Sequence, residues 1–245
     1  MNYKIIVQYD GTRYNGWQKQ KNTTNTIQGK LEALLTRMAG YEVEVHGSGR
    51  TDAGVHALGQ TANFHLKEQQ NPQKLLAYLN HYLPADISVT DISVVSDRFH
   101  SRLNAVRKTY RYRIGVGPVR NALEHRYIYH MDETPDVERM QKAAALLLGE
   151  HDFMSFNSNQ RMKKSTVRRI DSIKIQATNH EITIDYTGNG FLYNMVRILT
   201  GTLVEIGLGK RNPEDIPSIL QAKNRQAAGV TMPPNGLMLM YVDYE

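Results

Sequence analysis

A strand-period stretch followed by a helix-period stretch occurs in both halves of this chain, and that repetition limits the folds open to it. Tyr3 to Tyr9 alternates as a strand does, and Ile27, Leu31, Leu34, Leu35 and Met38 then fall on one helix face behind a capping pattern of Asn25 and Gln28. Strands are predicted at Glu42 to His46, Thr61 to Leu66 and Ile87 to Val95, with a helix over Pro72 to Tyr82 capped by Asn71. After residue 100 the same logic returns. A strand is expected at Lys108 to Val116, a helix from Pro135 to Leu148 behind Thr134, and strands near Ile170 to Ala177 and Glu181 to Tyr186. A helix from about Phe191 to Glu205, a short one after Pro213 and a last strand at Leu237 to Val242 complete the chain. The expected class is α+β with a mixed sheet, in two similar halves, 1–104 and 105–245. No low-complexity linker separates them, so close packing with a cleft between the halves is expected to form the site.

The 245 residues include no cysteine, which removes disulfides and thiolate metal sites as organising devices and suits a reducing compartment. Apolar runs such as Ala143 to Leu148 fall far short of the roughly 18 residues of a membrane span, and Met1 to Asp10 is too short for an export signal. A soluble, cytoplasmic protein is therefore expected. The net charge is +6 and unevenly placed. Arg98, Arg102, Arg107, Lys108, Arg111, Arg113 and Arg120 lie in a stretch to Leu123 without one acid, and Arg161 to Ile170 holds five more basic residues, also without an acid. Such one-signed stretches suit a phosphate-bearing partner, or simply two solvated faces.

Four stretches carry residue types suited to chemistry. The loop from Tyr9 to Gln18 mixes two glycines, Arg13 and Trp17, which fits either phosphate contact with base stacking or a turn whose tryptophan anchors it in the core. Arg50-Thr51-Asp52-Ala53-Gly54 packs an arginine, a hydroxyl and a carboxylate between two predicted strands. Glycine there permits close approach of a ligand, although an aspartate beside glycine more often stabilises its own turn. In Lys108 to Arg113, Tyr110 and Tyr112 share one strand face and Arg111 and Arg113 the other. Arg197 sits among Val196, Ile198 and Leu199, where a guanidinium needs a carboxylate partner if it is buried and otherwise faces water. Gly47-Ser48-Gly49 is no dinucleotide fingerprint, because Asp52 stands where the third glycine belongs, and the nine histidines lack a zinc-helix spacing.

The order of motifs along the whole chain resembles the tRNA pseudouridine synthase A family. The resemblance is carried by Tyr-Asp-Gly-Thr-Arg-Tyr-Asn-Gly-Trp-Gln from Tyr9, Thr-Ile-Gln from Thr26, Gly-Arg-Thr-Asp-Ala-Gly-Val-His-Ala from Gly49, and Phe-His-Ser-Arg from Phe99. Tyr-Arg-Tyr from Tyr110, His-Asp-Phe from His151 and Gly-Phe-Leu-Tyr-Asn-Met-Val-Arg from Gly190 continue it. It implies a homodimer of two ferredoxin-like halves joined in a pseudouridine-synthase fold with a basic central cleft. It also implies isomerisation of uridines 38, 39 and 40 in the tRNA anticodon stem-loop, without cofactor or metal. By the same resemblance Asp52 is the nucleophile, Tyr110 stacks on the target base, Arg197 pairs with Asp52, and Arg50 belongs to the site.

That reaction breaks the bond from N1 to the sugar, rotates the uracil and rejoins it through C5. A carboxylate suits the task because it adds to the base or the anomeric carbon and leaves again. Rival readings are the same chemistry on another RNA, a catalytically silent RNA-binding protein, and a hydrolase pairing Asp52 with a second acid, against which the nearest acids, Glu42 and Glu44, read as strand residues.

Overall fold

Strand β1 (Asn2–Tyr9) follows its alternation: Tyr3, Ile5, Val7 and Tyr9 are buried. The computed structural model describes residues 1–245 and divides into two compact units, Met1–Val106 with Met238–Glu245, and Arg107–Leu237.

In the first unit β1 leads to α1 (Ile27–Ala39), β2 (Val45–Gly47), β3 (His56–His65), α2 (Pro72–Tyr82) and β4 (Ile87–Val95). β1 lies between β4 and β3, antiparallel to both, and β2 pairs antiparallel with β3. This βαββαβ arrangement with a fully antiparallel sheet is the ferredoxin-like order expected from the sequence. The C-terminal strand, which begins at Met238 within this unit, adds parallel to the start of β3 through Met238–His56 and Leu239–Ala57.

Three local expectations change here. Helix α1 is capped by Thr26, whose side chain accepts from Gly29 N at 3.2 Å, and not by Asn25, whose side chain instead donates to the carbonyl of Arg13. Gln28 is also drawn away, bonding Glu32 and the carbonyl of Val45. β2 begins at Val45, later than predicted, while β3 begins at His56, ahead of the predicted Thr61. His56 to Gln60 shows no apolar alternation because the segment is covered on both faces, so nearly every side chain is buried whatever its polarity.

The second unit runs β5 (Ala105–Val116), β6 (Tyr129–Met131), α3 (Val137–Ala145), β7 (Gly149–Asp152), β8 (Val167–Ala177), β9 (Glu181–Gly188), α4 (Met195–Gly207) and α5 (Ile216–Ala222), and reaches the start of β10 (Leu237–Tyr244). β9 lies between β5 and β8, antiparallel to both, with β7 beyond β8 and β6 parallel to β5. The strand, helix, strand, strand, helix order of the first unit returns with two short additions, β6 ahead of α3 and β7 ahead of the β8–β9 pair. Helix α3 starts at Val137 under an Asp136 cap, so Thr134 is not its cap. Helix α4 starts at Met195, one turn later than Phe191, because Asn194 adopts the left-handed conformation (φ 61°) immediately before it. Its core-facing surface is broad: Met195, Ile198, Leu199, Leu203 and Ile206 are all buried. No helix is long and apolar enough to cross a membrane.

Candidate active site

In the first unit the loop bearing Asp52 joins β2 to β3, as the sequence pattern places it. Its lower edge is pinned by Ser48, whose N–H donates to the Thr61 carbonyl at 2.8 Å and whose hydroxyl bonds Gln60 Oε1 at 2.6 Å. Gln60 returns a bond to the Gly49 carbonyl at 3.0 Å. The bond that closes the turn runs from backbone to backbone: Val55 N donates to the Asp52 carbonyl at 3.1 Å, and Gly54 takes φ 78°. Asp52 is half-buried and Thr51 buried beside it.

The loop from Tyr9 to Gln18 is the other wall of this construction. Trp17 N donates to the Thr51 carbonyl at 3.0 Å, and the Tyr9 hydroxyl meets Thr51 Oγ1 at 2.8 Å inside the core. Gly16 (φ 87°) lies so close that a Cβ there would sit 2.6 Å from the Thr51 carbonyl oxygen, and a Cβ on Gly11 would collide with the Val55 carbonyl. Gly11 N donates to His56 Nδ1 at 3.1 Å, just past the Asp52 turn. Trp17 is 1% exposed and packs against Gly47. Arg13 is held by Asp86, through Nη2 at 2.6 Å, and Tyr14 donates to the other oxygen of the same carboxylate at 2.6 Å. Burial acts to raise the Asp86 pKa, yet these hydrogen bonds outweigh it and hold the carboxyl below its ordinary value. Of the two uses open to this loop, the structure supports the architectural one: it braces the Asp52 turn.

Arg50 is exposed, and its Nε donates to Gln18 Oε1 at 3.0 Å. Gln18 passes the connection to Gln28 at 2.6 Å, Gln28 to Glu32 at 2.9 Å, and Glu32 is paired with Lys19 at 3.0 Å. The first predicted arginine is therefore tethered to the bracing loop through its Nε.

In the second unit Tyr110 lies on β5 opposite Tyr186 of β9, 8% exposed, with Phe191 edge-on at 5.3 Å. Phe191, expected from the sequence to open the helix, instead packs on Tyr110. It sits in the glycine-marked segment before α4, and the left-handed Asn194 that delays the helix keeps Phe191 out of it. Arg197, near the start of α4, is half-buried. Its Nε donates to the Met232 carbonyl at 2.6 Å and its Nη1 to Asn194 Oδ1 at 2.8 Å, so these bonds fix its direction. Neighbouring Tyr112 is fully buried; burial drives its phenol pKa up, and the Arg197 charge opposes that rise.

The basic face predicted on β5 is largely neutralised. Arg111 forms a two-pronged pair with Asp185 at 2.7 Å, and Arg113 binds Glu181 and Glu124. Arg107 and Arg169 share Asp171. Those acids come from β8, β9 and the loop after β5, outside the acid-free stretch, so no local reading of charge could see them. Arg120, Arg161, Lys163 and Lys164 form no ion pair.

Known proteins agree with the order of motifs. The sequence profile of the tRNA pseudouridine synthase family matches residues 5–103 and 143–245. A protein of Bacillus sp. (strain KSM-64) named tRNA pseudouridine synthase A is 50% identical over 228 residues, covering 93% of this chain and 93% of its own. A tRNA pseudouridine synthase A 2 of Bacillus anthracis is 44% identical over 99% of both chains. A tRNA pseudouridine synthase A of Caldicellulosiruptor saccharolyticus is likewise 44% identical over 99% of both.

Proposed function

The chain belongs to the tRNA pseudouridine synthase family, and from that premise we propose that it isomerises uridines 38, 39 and 40 of the tRNA anticodon stem-loop to pseudouridine, with Asp52 as nucleophile. The observation that carries this reading is the Asp52 turn, closed by its own backbone and braced by a second glycine loop, so that its carboxylate is carried on a rigid support.

In this reading the N-terminal half supplies the carboxylate and the C-terminal half supplies Tyr110 and Arg197. Asp52 adds to the base or to the anomeric carbon, the bond from N1 to the sugar breaks, the uracil turns, and C5 bonds to the sugar as the carboxylate leaves; C5 then loses its proton and N1 ends protonated, so the product is an isomer of the substrate. Arg197 is the cation that lowers the cost of keeping Asp52 ionised in a desolvated site. Tyr110 offers its ring to the extruded base, which offsets part of the few kcal/mol lost on unstacking. Arg50 belongs to the RNA-facing side of the same site. No cofactor or metal takes part. The enzyme works as a cytoplasmic homodimer.

The decisive experiment incubates the protein with unmodified tRNA and maps pseudouridine, with Asp52→Ala beside it. Wild type is expected to modify positions 38 to 40 and the variant none. An active Asp52→Ala protein would remove the nucleophile assignment, release of free uracil would point to a hydrolase, and binding without isomerisation would leave an RNA-binding protein.

A further inference from the structure

The Phe-His-Ser-Arg motif at residues 99–102 has no part in the chemistry above, yet it is fastened firmly beside the strands that flank the Asp52 loop. Asn2 donates to the Phe99 carbonyl at 2.8 Å, and Ser101 N donates to Asn63 Oδ1 at 2.8 Å. Ser101 is fully buried, its hydroxyl bonds the His46 carbonyl on β2, and Tyr244 donates to its carbonyl at 2.7 Å. With Phe99 and Ser101 so anchored, His100 and Arg102 are left at the surface of the unit.

There they line, with His46 and Arg50, a cavity of about 290 Å³. His100 stacks on His46 with ring centroids 5.0 Å apart. Arg102 N donates to His100 Nδ1 at 3.1 Å, so that nitrogen is an acceptor and the ring proton of neutral His100 resides on Nε2. Arg50 keeps its terminal N–H groups beyond the Nε bond to Gln18, and Arg102 forms no ion pair. The acid at the rim is Glu44, 3.7 Å from His46 Nδ1.

We propose that this cavity receives one backbone phosphate of the bound RNA, gripped by the Arg50 and Arg102 guanidinium groups and by the Nε2–H of His100. The proposal rests on the assignment of tRNA as substrate. Two guanidinium forks and a fixed neutral N–H donor match the two free oxygens of a phosphodiester, and the acid that lines the cavity, Glu44, is ion-paired with neither arginine. Burial, then the electrostatic influence of His46 and the Arg102 charge, favour neutral His100, while its own backbone and Glu44 oppose them. The net effect holds its pKa below the ordinary histidine value, which favours the form in which Nδ1 accepts from Arg102 N and Nε2 carries the proton.

The test measures affinity for an anticodon stem-loop RNA across a salt series, and for RNAs each carrying one uncharged methylphosphonate. Arg102→Gln is expected to weaken binding about tenfold at low salt and to reduce the slope of log affinity against log salt by about one. One methylphosphonate position should weaken the wild type by a similar factor and add nothing to the loss in Arg102→Gln. His100→Gln, which keeps an N–H donor, should bind better than His100→Phe. Losses that multiply at every position, or a slope unchanged by Arg102→Gln, would overturn the proposal. Thermal melts establish that each variant is folded. Phosphate coupling without pseudouridine formation by the wild type would remove the proposed isomerase and leave this site standing; the reverse result would do the opposite.

Discussion

The turn that carries Asp52 depends on glycines of another loop packed against its backbone. Gly16 has a backbone conformation unfavourable to L side chains and no room for a Cβ against the Thr51 carbonyl, so Gly16→Ala should cost more than about 1 kcal/mol in urea unfolding and also lower pseudouridine yield. Equal stability and yield would show that the bracing loop is not needed. Tyr110→Phe should keep its edge-on packing with Phe191 and its RNA affinity. A fall in turnover at saturating RNA would assign the hydroxyl a proton-transfer role, whereas unchanged turnover would confine Tyr110 to stacking. The residues proposed for the site, Asp52, Tyr110, Arg50 and Arg197, stand in motifs recognisable in order along the sequence. Their supports were less so. Trp17 and Arg13 looked as fit for RNA as for the core, and only burial of the indole and the Asp86 pair decided between those uses.

Elements were legible where their pattern is strong and local. β1, α2 and β4 lie within a residue of where periodicity and the Asn71 cap put them. The displaced boundaries have separate causes: Gln28 turns from the α1 cap to the Val45 carbonyl, β3 starts early where burial hides its alternation, and the left-handed Asn194, its side chain bonded to Ser158, delays α4. Strand β7, four residues rich in charge, carried no apolar alternation at all and is held by pairing with β8. Its Asp152 accepts from Thr166 Oγ1, from Met154 N, and from Lys223 Nζ at 2.9 Å. Burial acts to raise the Asp152 pKa, but these partners outweigh it, so the folded value lies below the unfolded one. Its contribution is therefore fully present above about pH 4 and lost as pH falls through the folded value. Asp152→Asn should lower stability at pH 6 and flatten the decline below about pH 4, read from urea midpoints. Parallel declines in the two proteins would dismiss this linkage.

For the whole molecule, the count of basic residues overstates what is offered to RNA. Arg107, Arg111, Arg113 and Arg169 are held by acids across the sheet. Binding should still weaken steeply with salt, since Arg120, Arg161, Lys163 and Lys164 have no such partner. Replacing Arg161, Lys163 and Lys164 by glutamine should therefore reduce the salt slope, while Arg111→Gln should leave it nearly unchanged and lower thermal stability instead. The opposite ranking would mean that the strand pairs open to meet the RNA.

Local pattern and motif order, which depend on neighbours within a few residues, determined the α+β class, the repeated strand and helix order, and the family to which the chain belongs. Pairing across the sheet decided the rest: which arginines are already neutralised, that β3 begins at His56, and that the C-terminal strand joins the first unit. It also decided what holds the Asp52 turn. A carboxylate beside glycine stays in one place only when other atoms close and brace its turn, and those atoms, on Val55, Thr51 and the glycines of a loop far back in the sequence, come together only in the folded chain.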